Sequence, residues 1–383
     1  MASTGSTHGA AGATASYEDA LRAQTEAAAE RIKARTGERE EAVRQIETGG
    51  IAAANPDDRL TKRLDRLSRY YAGDRLPTTP AEARVAEPEA VLANVRKRRF
   101  SRDAPASVVE AAAAPGDTGK VLERIINTSD FLDIRYLEGG VAASRAVGRI
   151  DVRDGTQRVI AYGTGSLVSP RLVLTNHHVL PDSQVAAMSA IEFNYQDGLD
   201  GQPLKPQMFD LDPGTFFLAD EERDFALVAV RAAPGALDQF GSNPLIEAEG
   251  KGVIGENVTI VQHPRGQKKQ IALRENQFVD LADPFVHYRA DTEPGSSGSP
   301  VFNDQWEIVA LHHAGVPAPE HPETGGYVNE GILVRRIMEL VRQQDFDPDA
   351  KALADQLAAR ESIVVPGAPA STSGGVEAGP LAD

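Results

Sequence analysis

Apolar positions along this chain follow two different periods, one before about residue 72 and another after residue 117. In the first part, four apolar residues recur at the spacing of one helix face: Leu60, Leu64, Leu67 and Tyr71. An alanine-rich run ending near Arg35 also favours a helix. Asn55-Pro56 marks a helix start, because a proline in the first turn leaves no N–H unsatisfied. The pattern predicts a helical N-terminal extension.

Beyond residue 117 the apolar runs are short and are separated by Gly, Pro, Asp and Asn, which is typical of strands joined by turns. These runs are 146–152, 158–167, 172–175, 225–230, 258–262, 285–288, 300–302 and 307–311. They predict an all-β barrel or sandwich. Residues 332–344 are amphipathic and predict a terminal helix on that domain.

The chain therefore divides into five predicted segments. They are a disordered start (1–15), a helical extension (16–72), a linker rich in Pro and Ala (73–116), the β domain (117–343), and a short helix with a disordered tail (344–383). Two interpretations of the extension stay open. It packs on itself or on the β domain, or it is a module that binds a partner or regulates the domain. Helices with only a few apolar residues along one face seldom fold alone.

The amino-acid composition excludes or disfavours some classes of function. The 383 residues carry a net charge of −16, which disfavours nucleic acid and anionic membranes as partners. No apolar run reaches the length of a membrane helix. The absence of cysteine excludes disulfides and thiol catalysis within the sequence. The N-terminus has neither a basic start nor an apolar core, so we expect no signal peptide and a cytoplasmic location.

The most informative segment for chemistry is Thr292–Phe302. Ser297 lies there between Gly295 and Gly298, in a run of small residues that allows a tight turn. Such a turn directs backbone N–H groups to the place where a tetrahedral oxyanion forms beside the serine hydroxyl. A glycine-rich turn alone is weak evidence, so the chain must also supply a base and an acid.

Both groups are present, in an informative order. The apolar run 172–180 ends in Asn176-His177-His178, and Asp224 opens the run 225–230. His, then Asp, then Ser is the order in chymotrypsin-like peptidases, whereas subtilisins and α/β-hydrolases use other orders. The α/β-hydrolase elbow also requires glycine at position 299, where this chain has serine.

Four segments resemble trypsin-like serine peptidases, and most of all the bacterial glutamyl-endopeptidase branch: Gly163–Ser169, Leu174–Val179, Asp224–Leu227 and Gly295–Pro300. The resemblance covers about residues 140–340 and leaves the N-terminal extension outside. It implies a chymotrypsin-like double β-barrel with the helical extension before it.

The resemblance also implies roles for individual residues. Ser297 is expected to be the nucleophile, His178 the general base and Asp224 the carboxylate that orients His178. The N–H groups of Gly295 and Ser297 would form the oxyanion hole. His178 fits better than His177, because an apolar residue follows it as in the family.

Specificity follows from the positions around Ser297. The glutamyl-endopeptidase pattern has a hydroxyl five residues before the nucleophile and a histidine fifteen after it, here Thr292 and His312. These favour Glu before the scissile bond. Asp291 lies where trypsins place the acid that selects Arg or Lys, so that alternative stays open. Zymogen-type trypsins carry an acid just before the nucleophile, where this chain has Ser296. Either the site is preformed or another element gates it.

The remaining histidines do not predict a metal site. Adjacent histidines on a strand point to opposite faces, and no metal-binding motif lies nearby. The histidines concerned are His263, His312, His313 and His321. We therefore expect no metal and no cofactor.

The sequence as a whole predicts a serine endopeptidase that acts on a protein or peptide substrate through an acyl-enzyme. A regulatory partner of the N-terminal helices is part of this hypothesis. The alternative is a non-catalytic interaction protein built on a peptidase fold.

Overall fold

The computed structural model of the chain describes residues 8–72, 134–273, 276–318 and 326–358. The predicted linker, the predicted disordered tail and His321 fall outside these residues.

Most helices lie towards the two ends of the described chain, and the strands, with one short helix among them, occupy the middle. The helices are α1 (His8–Ala34), α2 (Thr36–Ala53), α3 (Asp57–Ala72), α4 (Arg135–Arg145), α5 (Ser183–Met188), α6 (Val334–Gln343) and α7 (Pro348–Ala358). The strands are β1 (Val147–Arg153), β2 (Val159–Leu167), β3 (Leu172–Thr175), β4 (Ala190–Phe193), β5 (Gln207–Asp210), β6 (Phe217–Asp220), β7 (Phe225–Ala229), β8 (Thr259–Gln262), β9 (Gln270–Ala272), β10 (Phe278–Ala282), β11 (Phe285–Tyr288), β12 (Pro300–Phe302), β13 (Ile308–Pro317) and β14 (Tyr327–Leu333).

The strands form two seven-stranded sheets. The first has the order β5-β4-β1-β2-β3-β7-β6, and the second has the order β10-β11-β14-β13-β12-β8-β9. The pairings that build both sheets are antiparallel, as in β3 with β7 and in β13 with β14. This arrangement confirms the predicted all-β class, with two β units preceded by a helical extension.

Continuous apolar runs form strands where the sequence predicts them. All four residues of β3 and all five of β7 are buried, since each strand is covered on both faces. The sequence analysis missed several more polar strands, and β5 shows why: its residues are half-buried or exposed and make no apolar run.

Two predicted boundaries differ from the structure. The terminal helix begins at Val334 rather than Ile332, because Ile332 and Leu333 still pair with neighbouring strands. Helix α1 begins at His8, inside the segment predicted to be disordered. Its later turns pack on the second sheet, and a helix already nucleated extends easily through alanine.

One apolar core joins the two sheets. It combines Leu174 and Leu227 of the first sheet with Val261 and Leu311 of the second. Helices α6 and α7 contribute to the same core, for example through Leu357. The facing edges of the two sheets are therefore held together, and loops from both sheets can build one site.

The N-terminal helices pack on the second sheet rather than only on one another. Ala28 and Ile32 of α1 lie in one apolar cluster with Ala314 and Val316 of β13. Ala42 of α2 lies in a smaller apolar cluster with Ile254 and Leu281. The extension is thus part of the folded unit.

Helix α3 is anchored by a buried ion pair. Nε of Arg63 donates to Oε1 of Glu256 at 2.8 Å, and the guanidinium also donates to Oε1 of Gln305 at 2.8 Å. The side chains of Arg63 and Glu256 are only 2% and 7% exposed. Burial raises the pKa of Glu256 to about 7, and the charge of Arg63 opposes that rise.

None of the described helices combines the length and the apolar character needed to cross a bilayer.

Arg63→Ala is expected to lower the free energy of unfolding by about 3 kcal/mol or more, because it leaves Glu256 buried without its cation. Urea unfolding measures this loss. Lys62→Ala is the matched control: its ion pair with Glu249 spans 2.6 Å between half-exposed side chains and should contribute about 1 kcal/mol at most. Equal losses in the two variants would contradict the anchoring role of Arg63.

Candidate active site

The turn that carries Ser297 requires glycine at two positions. Gly295 has φ +98° and Gly298 has φ +87°, a region that L side chains rarely adopt. A Cβ at 298 would lie 2.1 Å from the carbonyl oxygen of Thr164 and 2.3 Å from Oγ1 of Thr175. The turn is closed by hydrogen bonds such as Ser299 N to Ser296 O, at 3.0 Å.

Thr164 of β2 holds this turn against the first sheet. Its hydroxyl donates to the carbonyl of Gly295 at 2.8 Å, and its backbone N–H donates to the carbonyl of Ser297 at 2.8 Å. The hydroxyl of Thr175 in turn donates to the carbonyl of Thr164. The sequence analysis placed Thr164 only within a resembling segment and did not identify this contact between the sheets.

His178 and Asp224 meet in the first sheet. His178 follows β3, and Asp224 immediately precedes β7, the strand that pairs with β3. Oδ2 of Asp224 lies 2.8 Å from Nδ1 of His178, and Oδ1 accepts the backbone N–H of His178 at 2.9 Å. Asn176 donates from its amide to the backbone carbonyl of Asp224. These bonds fix the carboxylate although Asp224 has φ +47°.

The other ring nitrogen of His178 is oriented away from the carboxylate. This atom, Nε2, is buried and has no hydrogen-bond partner among the described residues. Gly163 lies between the segment that follows His178 and the turn of Ser297: a Cβ there would lie 2.7 Å from the side chain of Val179 and 3.5 Å from the carbonyl oxygen of Ser297. His177 is half-buried.

A second histidine binds the same carboxylate. Nδ1 of His313 on β13 lies 3.1 Å from Oδ2 of Asp224, and its Nε2 lies 2.8 Å from Oε1 of Glu330 on β14. Both carboxylates raise the pKa of His313, to about 9, against the opposing effect of burial. Hydrogen bonds and charge from His178 and His313 hold the pKa of Asp224 below its usual range despite burial.

Glu330 connects this pair to the N-terminal helix. Arg31 of α1 donates to Glu330 through Nε at 3.0 Å and through Nη2 at 2.7 Å, and His287 lies 3.0 Å away through Nε2. These partners keep the pKa of Glu330 below its usual range although burial opposes the shift. The sequence analysis missed Glu330 and Arg31. Only the pair of adjacent histidines signalled His313, and it was considered there as a metal ligand.

Ser297 lies at a cleft of about 960 Å³ that also contains the three predicted substrate-binding residues, Thr292, His312 and Asp291. Arg289, which the sequence analysis did not single out, lines the same cleft. Ser297 and these three residues thus line one cleft, and His178 and Asp224 are fully buried.

His312 is an uncharged side chain in this cleft. Burial and the neighbouring imidazoles lower its pKa to about 3. Its Nδ1 lies 2.7 Å from the hydroxyl of Tyr288, whose pKa is raised by burial, so the phenol keeps its proton and donates it to Nδ1. The neutral ring then carries its own proton on Nε2. His312 can therefore offer a carboxylate a hydrogen bond but no positive charge.

The other two predicted substrate residues are less well placed for direct recognition. The hydroxyl of Thr292 donates to Oδ1 of Asn329 at 2.6 Å, so its proton is already engaged. Asp291 is exposed, where solvent screens its charge. Among the described residues, the backbone hydrogen bonds that hold the turn do not use the N–H groups of Gly295 and Ser297.

Helix α1 runs along the cleft. Leu21 and Thr25 contribute to its lining, and the ring of Tyr17 lies 6.3 Å from the ring of His178. Burial, reinforced by the charge of Asp224, raises the pKa of Tyr17 to about 12. The amide of Gln24 donates to the backbone carbonyl of Glu221, in the loop that leads to Asp224.

Within the described residues, no group of three or more His, Asp or Glu side chains is arranged to hold a metal ion.

Comparison with known proteins bears on the same region. Residues 163–311 match a family model described as a trypsin-like peptidase domain, a span that includes His178, Asp224 and Ser297. Helices α1 to α3 lie outside the match.

Curated relatives include two informative proteins. An uncharacterized protein, y4fB, of Sinorhizobium fredii is 37% identical over 260 residues, which are 64% of this chain and 38% of that protein. A probable periplasmic serine endoprotease, DegP-like, of Chlamydia muridarum is 25% identical over 321 residues, 81% of this chain and 52% of that protein. The chain thus spans between about two fifths and half of the length of these relatives. The family match and the DegP-like relative show that this region is similar to trypsin-like serine peptidases.

Gly298→Ala is expected to lower the free energy of unfolding by about 3 kcal/mol, from backbone strain and from the contact with Thr164. Gly326→Ala is the control: Gly326 has a similar φ of +81° but no atom of the described residues within 4 Å of an added Cβ, so the variant should lose only about 1 kcal/mol. Calorimetric unfolding of both variants tests whether the close approach of position 298 to Thr164 adds to the loss of stability. Similar losses would show that strain alone governs position 298.

Proposed function

We propose that the chain is a serine endopeptidase in which Ser297, His178 and Asp224 act as nucleophile, general base and orienting acid. The observation that carries the proposal is the buried Asp224 carboxylate, bonded at 2.8 Å to the His178 ring beside the Ser297 turn. Asp224 fixes the tautomer of His178, so that Nε2 is the basic nitrogen.

The reaction follows from these positions. His178 takes the proton of the Ser297 hydroxyl as the oxygen attacks a substrate carbonyl, which forms a tetrahedral intermediate. The N–H groups of Gly295 and Ser297 donate to its oxyanion. His178 then gives the proton to the leaving amine, and water releases the acyl group by the same steps.

The cleft favours an acidic residue before the scissile bond. The Nε2–H of His312 is a donor suited to a carboxylate, and Arg289 adds a cation to the lining. The competing choice, Arg or Lys, would rely on Asp291, and an exposed carboxylate attracts a cation only weakly. Cleavage after Glu is therefore the proposed specificity.

Helix α1 is the proposed regulatory element of the extension, and it acts on the chain's own cleft. Leu21 and Thr25 occupy part of the space that an extended substrate would need, and Ala28 packs against the apolar cluster of β13. Release of α1, for instance by a protein partner that binds its apolar face, would open the cleft.

Ser297→Ala is expected to abolish cleavage of a diverse peptide library by the full-length protein, because no other group can form the acyl-enzyme. Ser299→Ala is the control. Its hydroxyl is buried without a hydrogen-bond partner among the described residues, so its loss should leave activity within about a factor of two.

The same library identifies the residue before each cut. Cuts after Glu support the proposed specificity, and cuts after Arg or Lys would overturn it. If the unchanged protein cleaves nothing and a fluorophosphonate leaves Ser297 unlabelled, the non-catalytic interaction protein becomes the better description.

Ala28→Asp tests the regulatory role of α1, because it places a charge in the apolar contact with β13 and should lift the helix. We expect at least about a tenfold rise in kcat/KM for an unfolded protein substrate, since a buried unpaired charge weakens the docked state by several kcal/mol. Ala23→Asp makes the same substitution on the exposed face of α1 and should change nothing. A folded Ala28→Asp protein with unchanged or lower activity would contradict the role. Leu21→Ala, which only widens the cleft, provides a second, milder variant with the same expected direction.

A further inference from the structure

The ring of His313 lies between two buried carboxylates. Its Nδ1 is 3.1 Å from Asp224 and its Nε2 is 2.8 Å from Glu330, and all three side chains are 0% exposed. A neutral imidazole has one donor and one acceptor nitrogen, and an acceptor nitrogen facing a carboxylate would be repelled. The geometry therefore requires a proton on both nitrogens, which makes His313 a buried cation.

We propose that His313 is a positioning residue for the reaction of Ser297: its cation holds the Asp224 carboxylate and repels the positive charge that His178 gains from Ser297, while Glu330 holds His313. The proposal rests on the proposed function, because it concerns how that site works rather than what it cleaves.

His178 and His313 contact the same carboxylate oxygen of Asp224, and this shared contact explains how His313 positions the carboxylate. Oδ2 of Asp224 is 2.8 Å from Nδ1 of His178 and 3.1 Å from Nδ1 of His313. With two ring donors and a backbone donor, the carboxylate has one orientation, although the backbone of Asp224 is in the left-handed region. The ring of His313 is itself fixed by stacking on Phe285, with centroids 5.6 Å apart and planes 11° apart.

The charge of His313 acts on His178 in a definite direction. His178 becomes a cation when it accepts the proton of Ser297, and a second cation on the same carboxylate disfavours that state. Glu330 offsets part of this effect, and Arg31 in turn offsets part of the charge of Glu330.

The other titratable groups packed against this pair are accounted for. Tyr17 on α1 has its pKa raised to about 12, and His312 on β13 has its pKa lowered to about 3, so both are uncharged near neutrality. His287 on β11 contacts Glu330 at 3.0 Å and Asp280 at 3.5 Å but does not bond to Asp224. The charged groups closest to His178 in this network are Asp224 and His313, and Glu330 and Arg31 follow next along it.

The experiment is the pH profile of kcat/KM for the full-length protein with a cleaved library peptide. His313→Gln removes the cation, leaves Glu330 unbalanced and should move the acid limb up by about one pH unit. It should also lower kcat about tenfold or more with KM nearly unchanged, because Asp224 loses a partner but the cleft does not change. The double variant His313→Gln/Glu330→Gln removes both charges, so the limb should return close to its original pH while kcat stays low.

The possible outcomes distinguish a failure of this proposal from a failure of the proposed function. If the unchanged protein is active but the limb does not move in His313→Gln, His313 has only a structural role and the proposal fails. An unchanged protein without activity overturns the proposed function and this proposal together.

If His313→Gln does not fold, Arg31→Gln is the second variant. The side chain of Arg31 is 32% exposed and lies at the outer end of the chain of charges. Loss of that cation should also raise the limb, by less, and a limb that stays fixed would overturn the proposal.

Discussion

The buried carboxylate of Asp224 is the constraint on which the rest of the site depends. A charge out of water must be paired and fully hydrogen-bonded, and Asp224 meets this need with His178 on one side and His313 on the other. His313 requires an anion in turn, which Glu330 supplies, and Glu330 is neutralised by Arg31. Charges therefore alternate from the first sheet through β13 and β14 to α1. Loss of any member removes one of the partners that its neighbour relies on.

This chain of charges explains why the N-terminal helices are part of the folded unit. Arg31 and Arg35 of the α1 region bind Glu330 and Asp280 of the second sheet, and Arg63 of α3 binds Glu256. Apolar contacts alone would hold these helices weakly, because their apolar stripes are narrow. The same contacts bring α1 to the cleft of Ser297, so stability of the extension and access to the site are linked. The resemblance to peptidases, which begins only near residue 140, gave no indication of this link.

The sequence was sufficient to predict an element or a site residue where the local pattern and the local chemistry agree. Buried strands such as β3 and β7 are continuous apolar runs, and Gly295 and Gly298 mark the one turn that can carry Ser297. The sequence was insufficient where the role of a residue or strand depends on partners that are distant in the sequence. Glu330 reads as an ordinary polar residue until β13 and β14 pair, and β5 is too exposed to show an apolar run. His313 was passed over because adjacent histidines on a strand point apart; the bulge between His312 and Ala314 and the pairing of the sheets decide what each one meets.

The charge state of His313 tests the central claim most directly. Full-length protein labelled with ¹⁵N-histidine and carrying Ser297→Ala, which prevents self-cleavage, allows the two ring nitrogens to be observed by NMR near pH 7.5. The His313→Gln spectrum assigns the signals among the eight histidines of the chain. We expect both nitrogens of His313 to carry a proton, since its pKa is raised to about 9 between two carboxylates. A ring with a single protonated nitrogen at that pH would contradict the chain of alternating charges.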